Sequence, residues 1–271
     1  MVEGLKAGKQ ESFALLYEQC GRKIYGLALK MCGNREDAED IVQKTFIQAF
    51  TKINGFREES SIYTWLFSIA KNLCLRQLEG KRKSSFASLE QLLSSEKMSV
   101  GPDDFTAYEK QFYIGQVKEG CLLGLLRCLS FYQRTAFILN ILLEMKVKDV
   151  AEVINKSETA TRVLVHRAKQ NLKNFLCKNC SIYDAQNTCR CENLIHFSLK
   201  QGWIQKAGEE INIPKQNNIV EKIETEINYL QKITRIYSEL DEDRSFERKA
   251  HIIQEEIKSQ SLQIFSNKKV K

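Results

Sequence analysis

The sequence is poor in residues that end helices, with only 2 prolines and 13 glycines among 271 residues. Long segments carry Leu, Ile, Lys, Glu and Gln at helical spacing instead, which predicts an all-α fold and argues against a parallel sheet. No stretch approaches the ~20 apolar residues of a membrane span, and the first residues lack the apolar core of a signal peptide. We therefore expect a cytoplasmic protein with no membrane span.

Histidine is scarce as well. The 3 histidines, His166, His196 and His251, lie near no nucleophile, and the sequence has no glycine-rich phosphate loop or paired-carboxylate site. We therefore expect that the protein is not an enzyme. The 9 cysteines would lie in a reducing compartment, which argues against a disulfide framework. Five of them occupy apolar helical positions, where a thiol usually fills the core: Cys20, Cys32, Cys74, Cys121 and Cys128.

Charge is distributed unevenly along the chain. Residues 1–83 hold 14 Lys and Arg against 10 Asp and Glu, residues 122–176 hold 9 against 4, and residues 84–121 are acidic, with 3 against 6. Two basic segments on either side of an acidic connector are typical of a protein that binds nucleic acid at two points. The connector is rich in Ser, Gly, Pro and Asp, which predicts a linker between two domains.

The second basic segment contains a predicted helix-turn-helix. Residues 147–154 carry apolar side chains on one face, Asn155 suits a left-handed turn, and Ser157 is a good N-cap for the longer helix that follows. We expect Val163 and Leu172 to face the core. The outer face of the second helix would enter a DNA major groove. Its candidate DNA-binding residues are Ser157, Thr159, Thr161, Arg162, His166, Arg167 and Lys169. The alternative is a helical hairpin with a solvated basic face.

The stretch IYTWLFSIAKNLCLRQL, residues 62–78, predicts an amphipathic helix. Its core stripe consists of Ile62, Trp65, Leu66, Ile69, Ala70, Leu73 and Cys74. The other face combines aromatic rings with polar and cationic side chains, as proteins do where they hold unpaired bases. That face consists of Tyr63, Phe67, Lys71, Asn72 and Arg76. Aromatic residues at this spacing are equally consistent with the edge of a core, so both interpretations stay open.

The stretch AEDIVQKTFIQAF, residues 38–50, predicts another helix with a single buried stripe. The stripe consists of Ala38, Ile41, Val42, Phe46, Ala49 and Phe50, and it continues to Ile53. Ile47 does not fit the stripe, because it lies about half a turn away on the face expected to meet water. Its neighbours on that face are Asp40, Gln43 and Lys44. An isolated exposed isoleucine is ordinary by itself.

Taken in their order along the chain, these stretches resemble the bacterial RNA polymerase sigma factors of the extracytoplasmic-function group over residues 8–176. The resemblance implies two small helical domains, a polymerase and minus-ten domain at 1–83 and a helix-turn-helix domain at 109–176. A linker at 84–108 joins them, and a helical C-terminal extension follows at 177–271. The implied partners are core RNA polymerase and promoter DNA, and the implied function is promoter recognition and transcription initiation.

The resemblance also implies roles for individual residues. The residues that would dock on the clamp helices of the largest polymerase subunit are Asp40, Gln43, Lys44 and Ile47. The residues that would open and read the minus-ten element are Ser60, Ser61, Tyr63, Phe67, Lys71, Asn72 and Arg76. The helix-turn-helix would read the minus-thirty-five element. The chain departs from the family at Asn155, where glycine is usual, at Leu164, where arginine is frequent, and before Gln133, where a proline is usual.

The competing interpretation is a helix-turn-helix regulator, metal- or redox-responsive, that binds duplex DNA as a dimer without docking on polymerase. A sigma factor should need core polymerase to act, whereas such a regulator should bind its operator unaided. We expect that DNA binding requires no cofactor. An anti-sigma factor is a further candidate partner under the family resemblance.

A cysteine cluster follows the helix-turn-helix. Cys177 and Cys180 form a C-x-x-C pair, Cys189 and Cys191 form a C-x-C pair eight residues later, and His196 is within reach as a substitute ligand. Four thiolates on two short knuckles can surround one tetrahedral zinc ion, which predicts a zinc site. The alternatives are a thiol redox switch, a softer ion such as Cu(I) and chance clustering.

The tail lies outside the usual pattern of the family. The stretch IVEKIETEINYLQKITRIYSEL, residues 219–240, has one apolar face at helical spacing. We expect a small helical extension there, which either packs on a neighbouring domain or acts as a built-in regulator.

Overall fold

The computed structural model describes residues 1–81, 84–94 and 105–204, and in these residues the chain folds into helices. They are α1 (Val2–Lys6), α2 (Gln10–Cys32), α3 (Arg35–Lys52), α4 (Ile62–Leu78), α5 (Phe86–Leu93), α6 (Ala107–Cys128), α7 (Phe131–Phe137), α8 (Val147–Ile154), α9 (Glu158–Asn179) and α10 (Ile195–Lys200). A π-helical turn, Ile138–Leu142, continues α7. Short 3-10 turns, Ile53–Gly55 and Cys191–Leu194, follow α3 and precede α10. The all-α prediction is confirmed, and none of the described helices is long and apolar enough to cross a membrane.

The first group of helices consists of α2, α3 and α4, which pack on one another. Helix α2 ends at Cys32 because Gly33 takes a left-handed conformation, with φ of 83°, in which a β-carbon would be strained. The side chain of Asn34 then caps α3 by accepting a hydrogen bond from the Asp37 amide at 2.8 Å. Side chains that the group buries almost completely include Leu16, Ile24, Leu27, Met31, Ile41 and Leu66.

The second group consists of α7, α8 and α9. Ser130 and Gln133 form a capping box that begins α7, so the helix starts without the proline that is usual in the family. Helix α8 ends at Asn155, which takes the predicted left-handed conformation with φ of 53°. Ser157 caps α9 by accepting a hydrogen bond from the Ala160 amide at 3.1 Å. The predicted helix-turn-helix is confirmed as α8 and α9.

The two groups of helices lie against each other within one compact unit. Arg134 of α7 is buried, with 8% of its surface exposed. Its guanidinium Nη atoms donate hydrogen bonds to the carbonyl oxygens of Met31 at 2.7 Å, Arg127 at 2.8 Å and Leu129 at 3.2 Å. Because Met31 lies in the last turn of α2, these bonds tie the second group to the first. Helix α4 also packs on α8. The predicted domain boundaries stay predictions.

The predicted linker contains helix α5, which packs on the end of α9. The ring of Phe86 lies 5.7 Å from the ring of Phe175, measured between centroids. The carboxylate of Glu90 accepts hydrogen bonds from Lys178 at 3.0 Å and from Asn179 at 3.1 Å. This part of the linker is therefore held to the helix-turn-helix.

The segment after the cysteine cluster folds back on α6. A small apolar cluster joins Tyr113 and Val117 of α6 to Ile195 and Ile204. The helix predicted at residues 219–240 lies outside the described residues, so the helical extension stays a prediction.

Candidate functional site

The outer face of α3 carries the residues predicted to bind polymerase. Ile47 is 54% exposed, Gln43 and Lys44 are exposed, and Asp40 is half-buried. The Lys44 ammonium lies 2.6 Å from the Asp40 carboxylate, one helical turn away. The predicted orientation of Ile47 towards solvent is confirmed, whereas its contact with polymerase stays a prediction.

The prediction that Phe50 belongs to the buried stripe of α3 is wrong. Phe50 is 57% exposed, and its ring contacts Phe13 of α2 with centroids 4.8 Å apart. Phe50 lies near the end of α3, where its contact with α2 leaves more than half of its surface open. Tyr17 of α2 is 55% exposed and packs on Phe46 at 4.9 Å. Because Ile47 and Phe50 are three residues apart on a helix, the exposed apolar surface is wider than the sequence indicated.

Helix α4 exposes only some of the residues predicted to meet the minus-ten element. Tyr63 is 37% exposed, and its hydroxyl donates a hydrogen bond to the Gln19 side chain at 2.5 Å. Asn72 and Arg76 are exposed, and Lys71 is half-buried. Burial lowers the pKa of Lys71 below its ordinary value.

The prediction that Phe67 lies on the exposed face of α4 is wrong. Phe67 is 3% exposed and Leu66, its neighbour in the predicted core stripe, is 0% exposed. Helix α4 contacts α2, α3 and α8, so more than one of its faces is covered. Trp65, predicted for the core, is instead half-buried and packs on Phe56 at 5.2 Å. Phe67 therefore belongs to the core, the alternative that the spacing left open.

Ser60 and Ser61 lie just before α4. The hydroxyl of Ser61 accepts a hydrogen bond from the Thr64 amide at 3.0 Å and so caps the helix. Ser60 is half-buried. A DNA contact by either serine stays a prediction.

The outward face of α9 exposes Thr159, Arg162, His166 and Arg167. The Arg162 guanidinium lies 2.9 Å from the Glu158 carboxylate, one turn earlier, and both side chains are exposed. Such a surface pair contributes less than about 1 kcal/mol, so a phosphate or a base edge can compete for Arg162. Lys169 is half-buried.

The prediction that Thr161 faces DNA is wrong. Thr161 is 0% exposed, and its hydroxyl donates a hydrogen bond to the Ser157 carbonyl oxygen at 2.9 Å. Val163, predicted for the core, is 42% exposed, whereas Val165 and Ala168 are buried. Positions 161, 165 and 168 share one face of a helix, and this face is the one that α9 turns towards the core.

The four cysteines of the cysteine cluster are all half-buried. Within the described parts of the chain, no group of three or more His, Cys, Asp or Glu side chains is placed to hold a metal ion. Residues Cys180–Thr188 belong to a second unit, in which the Cys180 carbonyl oxygen accepts hydrogen bonds from the Tyr183 and Asp184 amides and closes a turn. Zinc binding by the cluster stays a prediction.

Two segments of the chain match models of known families. Residues 16–84 match Sigma-70 region 2, and residues 119–172 match Sigma-70, region 4. The chain is 26% identical over 184 residues to the ECF RNA polymerase sigma factor SigW of Bacillus subtilis (strain 168), across 65% of this chain and 94% of that protein. It is 26% identical over 177 residues to the ECF RNA polymerase sigma factor BldN of Streptomyces coelicolor, across 65% of this chain and 64% of that protein.

Among solved structures, the chain is similar to CnrH in complex with the cytosolic domain of CnrY, with a TM-score of 0.48 and 20% identity. That similarity covers 65% of this chain and 94% of the other. The two matched regions follow each other in the order that the motifs predicted, and the matched relatives are ECF sigma factors. The chain therefore belongs to the sigma-70 family of RNA polymerase sigma factors, in its extracytoplasmic-function (ECF) group.

Proposed function

We propose that this chain acts in the cytoplasm as a non-enzymatic initiation factor that binds core RNA polymerase and directs it to promoters. One observation carries the proposal. The region 2 match spans α3 and α4, the region 4 match spans α8 and most of α9, and each region presents its own candidate contact surface. A regulator that acts without polymerase needs only the second of these surfaces.

The outer face of α3 has the composition expected of a docking surface. Ile47 and Phe50 leave apolar surface open, and the Asp40–Lys44 ion pair lies beside Ile47 on the same helix. An apolar centre with a polar rim is the usual organisation of a protein interface. We propose that this surface meets the clamp helices of polymerase, with Gln43 contributing a polar contact.

The outer face of α9 and the exposed part of α4 would contact promoter DNA. In the upstream element, Arg162 and Arg167 would contact phosphates or the acceptors on guanine. In the opened minus-ten element, Tyr63 would stack on a base while Asn72 and Arg76 hold the strand. The buried side chains of α4 and α9 position these groups and make no such contact themselves.

Reconstituted initiation tests the proposal. The purified chain is combined with bacterial core polymerase and fragmented genomic DNA of its host, and the 5′ ends of the transcripts are mapped. We expect discrete start sites only when both proteins are present, and weak DNA binding by the chain alone. If the chain alone shifts a duplex DNA fragment in a gel and gives no discrete start sites with polymerase, the regulator interpretation is established instead.

We also propose, from the spacing of its thiols alone, that the cysteine cluster binds one zinc ion. Metal analysis of protein purified under reducing conditions should give about one zinc per chain. Cys177→Ser and Cys189→Ser should lose the metal, whereas Cys20→Ser, which changes a buried thiol in α2, should keep it. Metal-free protein with full activity and four freely alkylated thiols in the cluster would refute this site.

A further inference from the structure

We infer that Lys156 is a phosphate-binding residue of the helix-turn-helix and that Tyr132 holds its side chain in position. The inference rests on the proposed function, because the phosphates are those of the promoter duplex. The Lys156 ammonium lies over the ring of Tyr132, with Nζ 5.3 Å from the ring centroid. A cation within about 6 Å of an aromatic ring face is attracted by the quadrupole of that ring. Neither residue belongs to the set predicted from the sequence to bind DNA.

The backbone of Lys156 is fixed by the turn between α8 and α9. Asn155, just before it, takes the left-handed conformation, and the Lys156 amide donates a hydrogen bond to the Ala151 carbonyl oxygen at 3.0 Å. Ser157, just after it, caps α9. Because the turn holds the backbone on both sides of Lys156, the direction in which its side chain leaves the backbone is fixed too.

The ring of Tyr132 is held in place as well. Tyr132 lies in the first turn of α7, which begins with the capping box of Ser130 and Gln133. Its ring packs edge-on against the ring of Phe131, with centroids 5.5 Å apart. Helix α7 packs on both α8 and α9. The contact with Lys156 therefore joins the start of α7 to the turn before α9.

The position of Lys156 suits a contact with the DNA backbone. A recognition helix enters the major groove with its N-terminal residues, and Thr159 and Arg162 are exposed in the first turns of α9. Lys156 is exposed and precedes the first residue of α9 by two positions, so it would lie beside the groove rather than in it. The sugar-phosphate backbone borders the groove there. Phosphate contacts fix the register of a protein on the duplex and carry no sequence information.

The Lys156 ammonium keeps its capacity to bind an anion. A ring face does not neutralise the charge as a carboxylate would, and the ammonium has three N–H donors to offer. In the part of the chain that the structure describes, Lys156 forms no ion pair, whereas Arg162 already has the Glu158 carboxylate at 2.9 Å. Because the ring restricts the lysine side chain in advance, less side-chain freedom is lost when a phosphate binds.

The salt dependence of promoter binding tests the phosphate contact. The full chain is combined with core polymerase, and closed complexes with a promoter fragment are titrated between about 50 and 200 mM salt. Each neutralised phosphate contributes about 0.9 to the slope of log Kd against log salt concentration. Lys156→Ala should therefore lower that slope by about 0.9, so that its loss of affinity is about 3.5-fold larger at the low salt concentration than at the high one. Lys156→Arg, which keeps the charge, should keep the wild-type slope.

A double-mutant cycle tests Tyr132 as a positioning residue. Tyr132→Phe keeps the ring and should bind the promoter like the wild type, whereas Tyr132→Leu should raise Kd about threefold. In the Lys156→Ala background, Tyr132→Leu should have no further effect, since the side chain that it positions is absent. An equal effect of Tyr132→Leu in both backgrounds, or a weakening by Tyr132→Phe, would overturn the positioning role.

The matched control is Lys9→Ala, which removes an exposed lysine between α1 and α2 and should leave the slope unchanged. If the wild type binds the promoter and Lys156→Ala has the slope of this control, the phosphate contact is overturned. A loss of affinity confined to one base position of the promoter would also overturn it, because it would indicate a base contact. If the wild-type chain with core polymerase binds no promoter fragment, the proposed function fails and this inference fails with it.

Discussion

Replacing Ile47 with alanine tests the proposed polymerase-binding face directly. Ile47 is 54% exposed, so about half of its side chain is still available for burial against a partner. Burying a whole isoleucine side chain contributes about 1.5–3 kcal/mol, and half of it therefore about 0.8–1.5 kcal/mol. Because ~1.4 kcal/mol is a tenfold change in Kd, Ile47→Ala should weaken binding to core polymerase roughly fourfold to tenfold.

The effect on folding should be small, which separates an interface role from a core role. Alanine gains a few tenths of a kcal/mol in helix propensity, and the lost packing of the buried half opposes that gain. The free energy of unfolding of Ile47→Ala should therefore change by less than about 1 kcal/mol. Ile47→Asp should weaken polymerase binding further, because the interface would desolvate a carboxylate.

Two measurements are needed, a titration of the labelled chain with core polymerase by fluorescence anisotropy and urea unfolding followed by circular dichroism. The control is Tyr108→Ala, which removes a side chain of α6 that is 82% exposed and should leave Kd unchanged. If both Ile47 variants fold and bind polymerase like the wild type, the outer face of α3 is not the docking surface.

Four further sets of substitutions test the two candidate DNA-binding surfaces and two buried side chains. Arg162→Ala and Arg167→Ala should weaken holoenzyme binding to the upstream element. On promoters with single base changes, a base contact by Arg162 would appear as a loss of ~1–3 kcal/mol of sequence preference at one position. A loss of affinity that is equal for all sequences and depends on salt would indicate a phosphate contact instead. Tyr63→Ala should impair strand opening, followed by permanganate footprinting, more than closed-complex binding; equal effects would contradict stacking. Phe67→Ala should instead lower the free energy of unfolding by about 3–5 kcal/mol, because it empties a buried site. Burial lowers the pKa of Lys30 from 10.5 to about 8, so the unfolded chain binds more protons between these values and stability should rise with pH across this window. The free energy of unfolding, measured in urea at pH 7.5 and 9.5, should rise less with pH for Lys30→Met than for the wild type. An equal rise in both proteins would refute the assignment of this pH dependence to Lys30.

The ends of the helices were predictable because their signals are local. Asn155 takes a left-handed turn and Ser157 caps the next helix, and both effects act within four residues of the chain. At Ser130 the family pattern is a poorer guide than local helix capping. It begins α7 with a capping box where a proline is usual, and either residue suits the start of a helix.

The buried faces were less predictable because burial depends on every helix that packs nearby. Phe67 and Thr161 each satisfied the spacing of an outward face, yet they are 3% and 0% exposed. Helix α4 contacts α2, α3 and α8, so a polar or aromatic second face does not identify a solvent-facing side.

The contact between α4 and α8 bears on how one chain can hold both promoter elements. Under the proposed function, α4 meets the minus-ten element and α8 with α9 the minus-thirty-five element, about 25 base pairs apart, which is ~85 Å of duplex at about 3.4 Å per pair. Packed helices lie only about 8–10 Å apart. The two groups of helices must therefore separate before both elements are bound, and the bond from Arg134 to Met31 must break. The free energy of that contact opposes promoter binding, so a variant that weakens it should bind the two elements together more readily, provided that each group of helices stays folded.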